Sequence, residues 1–351
     1  MRRPMAVLLA VLVSFGAALA VPSLSSASPH PRTALRGVPT KGIAILMDSA
    51  NAITDAQAMA TAKVLFPIIA TKFHANAVSF NFAYRMSGSN ANDPSRGAIT
   101  PSPQLLAALT EIARRYGLSV QYRPYLYEGN LRNHSRTTIT PSNPTLWIQS
   151  YSNFLAPYLI SANEAGVATF SVAQELTTLL PSLSAWTTLI QRAKTLFPRE
   201  LLYSQQHYPM VSIPLTSRGY DAYEPIPLKS VSQVSVAVFT KGFERNFQIA
   251  GMQTTPADLT VEEIGLAAVA GAYNRPFYEH YPTNTKIDRI VQQDWFQGAC
   301  NAFWAQHLRG LFYWAIGFNT FSPSQNNKKQ LYKWYGTPTA NVVAACFART
   351  H

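Results

Sequence analysis

From residue 41 onward, short apolar runs rich in β-branched and aromatic residues alternate with longer segments whose apolar positions recur at a helical period. That alternation is the signature of βα units wound around a parallel sheet. Eight runs have strand character, at 42–47, 77–82, 119–125, 168–173, 201–205, 219–223, 259–264 and 310–315. Seven segments have helical character, at 54–72, 103–116, 144–165, 184–197, 230–243, 287–308 and 338–348. Thr54 ahead of Asp55 and Ser184 ahead of its own helical run are the expected N-caps, since a side-chain oxygen there satisfies an unpaired backbone N–H. The connection after the fifth strand is too short and too broken by proline for a full helix.

Eight parallel strands with outer helices predict a closed (β/α)8 TIM barrel, and no repeat or linker divides the stretch 41–351, so a single domain is expected. An open doubly wound sheet would need a Gly-rich phosphate turn after its first strand, and Met47-Asp48-Ser49-Ala50 is not one.

The start of the chain has a different pattern. Arg2 and Arg3 precede an apolar run at 5–21, and Ser-rich, small-residue sequence follows. A basic start, a short apolar stretch and a small-residue cleavage region make a secretory signal, expected to end at Ala27 and to leave 28–40 as a short linker. A membrane anchor is the alternative, at the lower limit of length for a spanning helix. With the signal removed, a secreted, soluble, monomeric protein with no membrane association is expected.

Composition narrows the function classes. Hydrophobic residues make up 47% of the 351-residue chain and charged residues only 13%, which excludes a disordered or coiled-coil protein. The net charge of +12 comes from 29 Lys and Arg against 17 Asp and Glu, without any dense basic run, so it is read as surface chemistry and not as a nucleic-acid site. Cys300 and Cys346 are the only two cysteines. In an exported protein they are expected to form a disulfide pinning the last helix to its neighbour. No clustered His, Cys or Asp suggests a metal, no G-x-S-x-G elbow suggests a catalytic serine, and no cofactor is implied.

In a barrel the chemistry comes from the C-terminal ends of the strands. The polar and aromatic residues there include Asp48, Tyr84, Arg85, Arg123, Tyr125, Tyr127, Gln174, Glu175, Gln206, His207, Asp221, Tyr223, Glu224, Glu262, Glu263, Trp314 and Asn319. Acidic residues are scarce, yet one sits at the end of the fourth strand and another at the end of the seventh. Two carboxyl groups facing one another across the mouth are what glycoside hydrolysis requires.

The local motifs sharpen this. Phe170-Ser171-Val172-Ala173-Gln174-Glu175-Leu176 resembles the acid/base strand end of the large clan of retaining glycosidases, and Leu259-Thr260-Val261-Glu262-Glu263-Ile264-Gly265 resembles its nucleophile strand. Trp147-Ile148-Gln149-Ser150-Tyr151 with Phe154 and Tyr158, Trp186 through Arg192, Tyr203-Ser204, Tyr220-Asp221-Ala222-Tyr223 and Gly310-Leu311-Phe312-Tyr313-Trp314 extend the resemblance to the glycoside hydrolase family 113 mannanases over about residues 41–320.

The resemblance implies Glu175 as acid/base and Glu263 as nucleophile of a retaining double displacement on a β-linked poly- or oligosaccharide, mannan-like by family, with carboxyl groups about 5–5.5 Å apart. It also implies Tyr223 as the tyrosine that hydrogen-bonds the nucleophile and Trp314 as the sugar platform. Because neighbours on a strand point to opposite faces, only one of Glu262 and Glu263 is expected to look into the site, and the following Ile264-Gly265 places Glu263 on the motif.

Arg85, Arg123, Tyr125, Gln174, His207, Tyr223 and Trp314 are the candidate substrate-binding residues. Arg85 and Arg123 have three roles open to them, reaching sugar hydroxyls, tuning the carboxylates or serving as structural ion-pair partners. Gln174 departs from the Asn that many clan members carry before the acid/base, where it contacts the 2-hydroxyl. The alternative from another class is a non-catalytic carbohydrate-binding barrel.

Overall fold

The computed structural model describes residues 37–350 apart from 48–52, 130, 132–133, 207–212, 216, 231–232, 252–257, 279, 283 and 328. Asp48, His207 and the expected signal segment 1–27 lie outside the described residues, as does most of the linker.

The strands β1 (Thr40–Leu46), β2 (Ala77–Tyr84), β3 (Ser119–Leu126), β4 (Thr169–Gln174), β5 (Glu200–Gln205), β6 (Arg218–Asp221), β7 (Leu259–Ile264) and β8 (Gly310–Gly317) pair in parallel, each with the next. The pairing of β1 with β8 closes the barrel. The helices are α1 (Asp55–Lys72), α2 (Pro103–Arg115), α3 (Pro144–Ala165), α4 (Leu183–Leu196), α5 (Val236–Gly251), α6 (Arg289–Ala305) and α7 (Thr339–Phe347). Among the described residues no α-helix stands between β5 and β6, and no helix is long and apolar enough to cross a membrane.

Local chemistry fixes the helix starts. Thr54 and Gln57 form a reciprocal capping box on α1. Ser102 and Asn143 accept from Leu105 N and Leu146 N ahead of the N1 prolines of α2 and α3. Ser184 does not cap α4. The 3-10 turn Thr177–Leu179 carries the chain directly into that helix, so its first residue is Leu183, and Ser182 at the cap position makes no side-chain hydrogen bond. Helix α5 starts at Val236 and runs to Gly251, later at both ends than the 230–243 expected. Phe239, Phe243, Phe247 and Ala250 keep a single buried face throughout, and Ser235 Oγ accepts from Val238 N at 3.3 Å.

The strands divide aromatic from polar residues. Their aromatic side chains pack against the helices: Phe82 on Tyr158 and Tyr84 on Tyr151 of α3, Tyr203 on Trp186 of α4, Tyr220 on Phe247 of α5, and Tyr313 on Phe296 of α6. The opposite faces bring Ser79, Asn81, Gln121, Arg123, Ser171, Ser204, Asp221 and Glu262 into the barrel interior, all buried. TIM-barrel interiors are dominated by branched apolar residues; this one carries a charged layer beneath its mouth.

Cys300 of α6 and Cys346 of α7 form the expected disulfide, with Cα atoms 5.8 Å apart. Their separation of 46 positions along the chain sets the entropy that the link removes from the unfolded chain. Replacing both by Ser is therefore expected to destabilise the protein by up to about 4 kcal/mol in urea unfolding. A loss below about 1 kcal/mol would mean that packing alone holds α7.

Candidate active site

The site is built on two departures from regular strand pairing. In β4 the register against β5 steps from Ser171↔Leu202 to Gln174↔Ser204, so β4 carries one extra residue there. Glu175 follows at once in a left-handed conformation (φ 55°), sparsely populated by residues other than Gly, Asn and Asp, with its N–H held by Ser204 O at 2.9 Å. In β7 the pairing steps from Tyr220↔Val261 to Asp221↔Glu263 on one side and from Val261↔Leu311 to Ile264↔Tyr313 on the other. That is a β-bulge at Glu262 and Glu263.

The bulge overturns the expectation that only one of the two glutamates faces inward. Glu262, fully buried, accepts from Gln121 Nε2 and from Ser171 Oγ (3.3 Å) deep in the barrel. A Cβ at Gly219 would overlap its carboxylate, so glycine is required on β6 at that level. Glu263 lies one level nearer the mouth. Its carboxylate accepts from Arg123 Nη1, from Gln174 Nε2 (2.9 Å) and from the Tyr223 hydroxyl (2.9 Å). Three donors from β3, β4 and the segment after β6 thus fix its orientation.

Arg123 is the hub. Its guanidinium donates to Glu263, Asp221, Asn81 Oδ1 (3.0 Å) and Ser204 Oγ (3.3 Å), and its Nε lies 3.6 Å from Glu262. It is 0% exposed and ion-paired to Asp221, Glu262 and Glu263, so the structure makes it a partner of the buried carboxyl groups and turns it away from sugar hydroxyls. One buried cation faces three buried carboxyl groups here. Burial, opposed by Arg123, pushes the Asp221 carboxyl well above the usual carboxylate range and raises that of Glu262.

A consequence for stability follows. From the ordinary carboxylate range near pH ~4 up to the raised values, Asp221 and Glu262 hold more protons in the native state than in the unfolded chain, so their contribution to stability falls as pH rises through that interval. Thermal unfolding midpoints across a pH series are expected to be highest in mild acid and to decline toward neutrality, with a shallower decline in Asp221→Asn. A midpoint that rises over the same range would contradict the buried-acid account.

Glu175 is buried and its carboxyl is raised, chiefly by burial; Arg136 opposes that shift and Glu263 adds to it. Arg136 belongs to the loop after β3. Its Nε lies 2.8 Å from Glu128 Oε1 and 3.8 Å from Glu175 Oε2, and its guanidinium sits 5.3 Å over the Tyr125 ring. Arg85 stands apart from this cluster, stacked over Tyr127 at 4.8 Å and bridged through its backbone to Ser95. Trp314, half-buried at the same end of β8, is joined to Ala315 by a cis peptide.

The structure therefore gathers Arg123, Gln174, Glu175, Tyr223 and Glu263, with Tyr125 behind Arg136. Sequence reasoning missed Asn81, Gln121, Glu128 and Arg136, and it named Ser204 only within a family motif. Asn81 and Gln121 had a signal, a polar residue recurring at alternate positions within otherwise apolar strands; Arg136 had none.

The family model for glycoside hydrolase family 113 matches residues 53–337. A search of the curated proteins finds no match. Among solved structures, the β-mannanase AaManA from Alicyclobacillus acidocaldarius, in complex with ManMIm, superposes with TM-score 0.71 and 20% identity over 88% of this chain and 97% of that one. A second family 113 β-1,4-mannanase gives TM-score 0.74 and 18% identity over 88% and 99%. A GH5_18 protein from Streptomyces cattleya in complex with GlcNAc gives 0.57 and 11% over 88% and 79%. At these identities the structural likeness speaks for the barrel alone.

Proposed function

The chain belongs to glycoside hydrolase family 113, and from that premise we propose that it cleaves β-mannosidic bonds in mannan-type poly- or oligosaccharide with retention of configuration, Glu263 acting as nucleophile and Glu175 as acid/base. The observation that carries the assignment is the contrast between the two carboxyl groups. Glu263 is held as an acceptor by three converging donors, whereas the Glu175 carboxyl, raised by burial, is suited to carry a proton.

In the first step Glu263 attacks the anomeric carbon while Glu175 gives its proton to the departing glycosidic oxygen. In the second, Glu175, now ionised, takes a proton from water as that water displaces Glu263 from the glycosyl-enzyme. Tyr223 and Arg123 keep Glu263 aimed through both steps. Gln174 spends its amide N–H on Glu263 and leaves Oε1 buried without a protein partner among the described residues, an acceptor suited to a substrate hydroxyl. Trp314 is assigned as the sugar platform. Mannan as substrate draws support from the two family 113 structures described as mannanases.

The proposal extends to export. Arg2, Arg3 and the apolar run at 5–21 support a signal removed after Ala27, and a Cys300–Cys346 disulfide suits an oxidising compartment. The mature protein is proposed to act as a monomer.

The test is to digest a panel of β-mannan, β-glucan, β-galactan and xylan oligosaccharides and to follow the anomeric protons of the first product by NMR. Selective turnover of mannan with the β-anomer appearing first is expected. An α-anomer formed first would overturn retention, and preference for another panel member would overturn the substrate.

A further inference from the structure

An acid/base must be protonated in one half of the cycle and ionised in the other, so a cation fully committed to it would trap one of the two states. Arg136 approaches Glu175 without committing to it. Its Nε stands 3.8 Å from Glu175 Oε2, beyond hydrogen-bond distance, while the same nitrogen and the Arg136 backbone N–H both reach Glu128 Oε1 at 2.8 Å. The Tyr125 ring beneath the guanidinium limits where it can move. Glu128 sits at the rim, with its side chain 37% exposed, against 20% for Arg136 and 10% for Glu175.

We propose that Glu128 and Arg136, on the loop after β3, form a positioning pair for Glu175, with Glu128 holding the guanidinium back so that Glu175 receives only part of its charge. The proposal rests on Glu175 being the acid/base. The other charged and titratable groups around Glu175 are Arg123 of β3, Tyr203 of β5, Asp221 of β6 and Glu263 of β7. Glu128 and Arg136 differ from these in being supplied by a loop, outside the hub that holds Glu263.

The two members act on Glu175 with opposite sign. Arg136 favours the ionised carboxylate, and the negative charge of Glu128 disfavours it. In kcat/KM against pH on a mannan oligosaccharide, Arg136→Met should therefore move the alkaline limb to higher pH and Glu128→Gln should move it to lower pH. Arg136→Lys should keep the limb near that of the wild type. With a dinitrophenyl β-mannoside, whose leaving group needs no proton, these differences in the limb should vanish. A structural loop contact would give neither opposite shifts nor their loss with leaving group.

Limbs that stay in place in both variants, or move the same way, overturn the proposal. Should Arg136→Met fail to fold, Glu128→Gln and Arg136→Lys still decide it. The underlying assignment is tested separately by Glu175→Ala with the dinitrophenyl substrate and azide. Formation of the glycosyl azide upholds Glu175 as acid/base whatever the limbs do, and its absence removes the ground on which the positioning pair stands.

Discussion

Replacing Glu263 by Gln is expected to lower kcat/KM on a mannan oligosaccharide by on the order of 10⁴-fold or more while the barrel stays folded. The amide is nearly isosteric, so the bulge in β7 and the packing around it should persist. Two things change. No carboxylate is left to bond to the anomeric carbon, and an NH2 now faces Arg123, Gln174 or Tyr223, all of which donate toward that position. Glu175→Gln should cost less, about 10²–10⁴-fold on the same substrate, and little on a dinitrophenyl glycoside whose leaving group departs unaided. Initial-rate measurements on both substrates separate the roles. If Glu263→Gln kept more than a tenth of wild-type activity, another group would have to be the nucleophile.

Removing the cation at the centre of the barrel is expected to have the largest effect on stability. Arg123→Met leaves Asp221, Glu262 and Glu263 facing one another with no buried countercharge, a change worth about 3–5 kcal/mol in comparable buried networks. The loss should shrink in mild acid, where Asp221 and Glu262, both raised by burial, take up protons and fall neutral. Arg123→Lys should recover only part of it, because an ammonium cannot reach Asp221, Asn81 and Glu263 with the fixed fork of a guanidinium. Urea unfolding at two pH values provides the measurement. A loss under about 1 kcal/mol at neutral pH would show that the polar interior is not what holds the strands in place.

The barrel was legible in the sequence because its strands are buried on both faces and read as short, largely apolar runs, continuous in Gly310–Gly317 and broken only by the inward Ser79 and Asn81 in Ala77–Tyr84. All eight strands emerged in order, with ends displaced by a few residues. The ends of α5 were misjudged because its apolar face repeats well past Phe243, while nothing in the residues from Ser230 marks a start. The cysteine pair was legible from compartment chemistry alone.

Within the site, legibility stopped where pairing leaves its regular period. Alternation predicts one inward glutamate at 262–263, and an extra residue in β7 makes it two. Arg136 reaches Glu175 from a loop with no hydrophobic pattern, and contact between positions 39 residues apart cannot be read from either segment by itself. Asp221 appears in the sequence only as an acidic strand end; its pairing with Arg123 is a product of closure, which brings β6 and β3 face to face across the interior.

The extra residue in β7 can also be counted in chain length. A strand in step with both neighbours would be one residue shorter, and deleting Glu262 would supply that strand: Glu263 would drop into the deep position between Gln121 and Ser171, leaving Glu175 as the carboxyl group at the mouth. With Glu263 as the proposed nucleophile, the regular strand would be the catalytically silent one, so regular pairing in β7 and chemistry at the mouth are set against one another by a single residue.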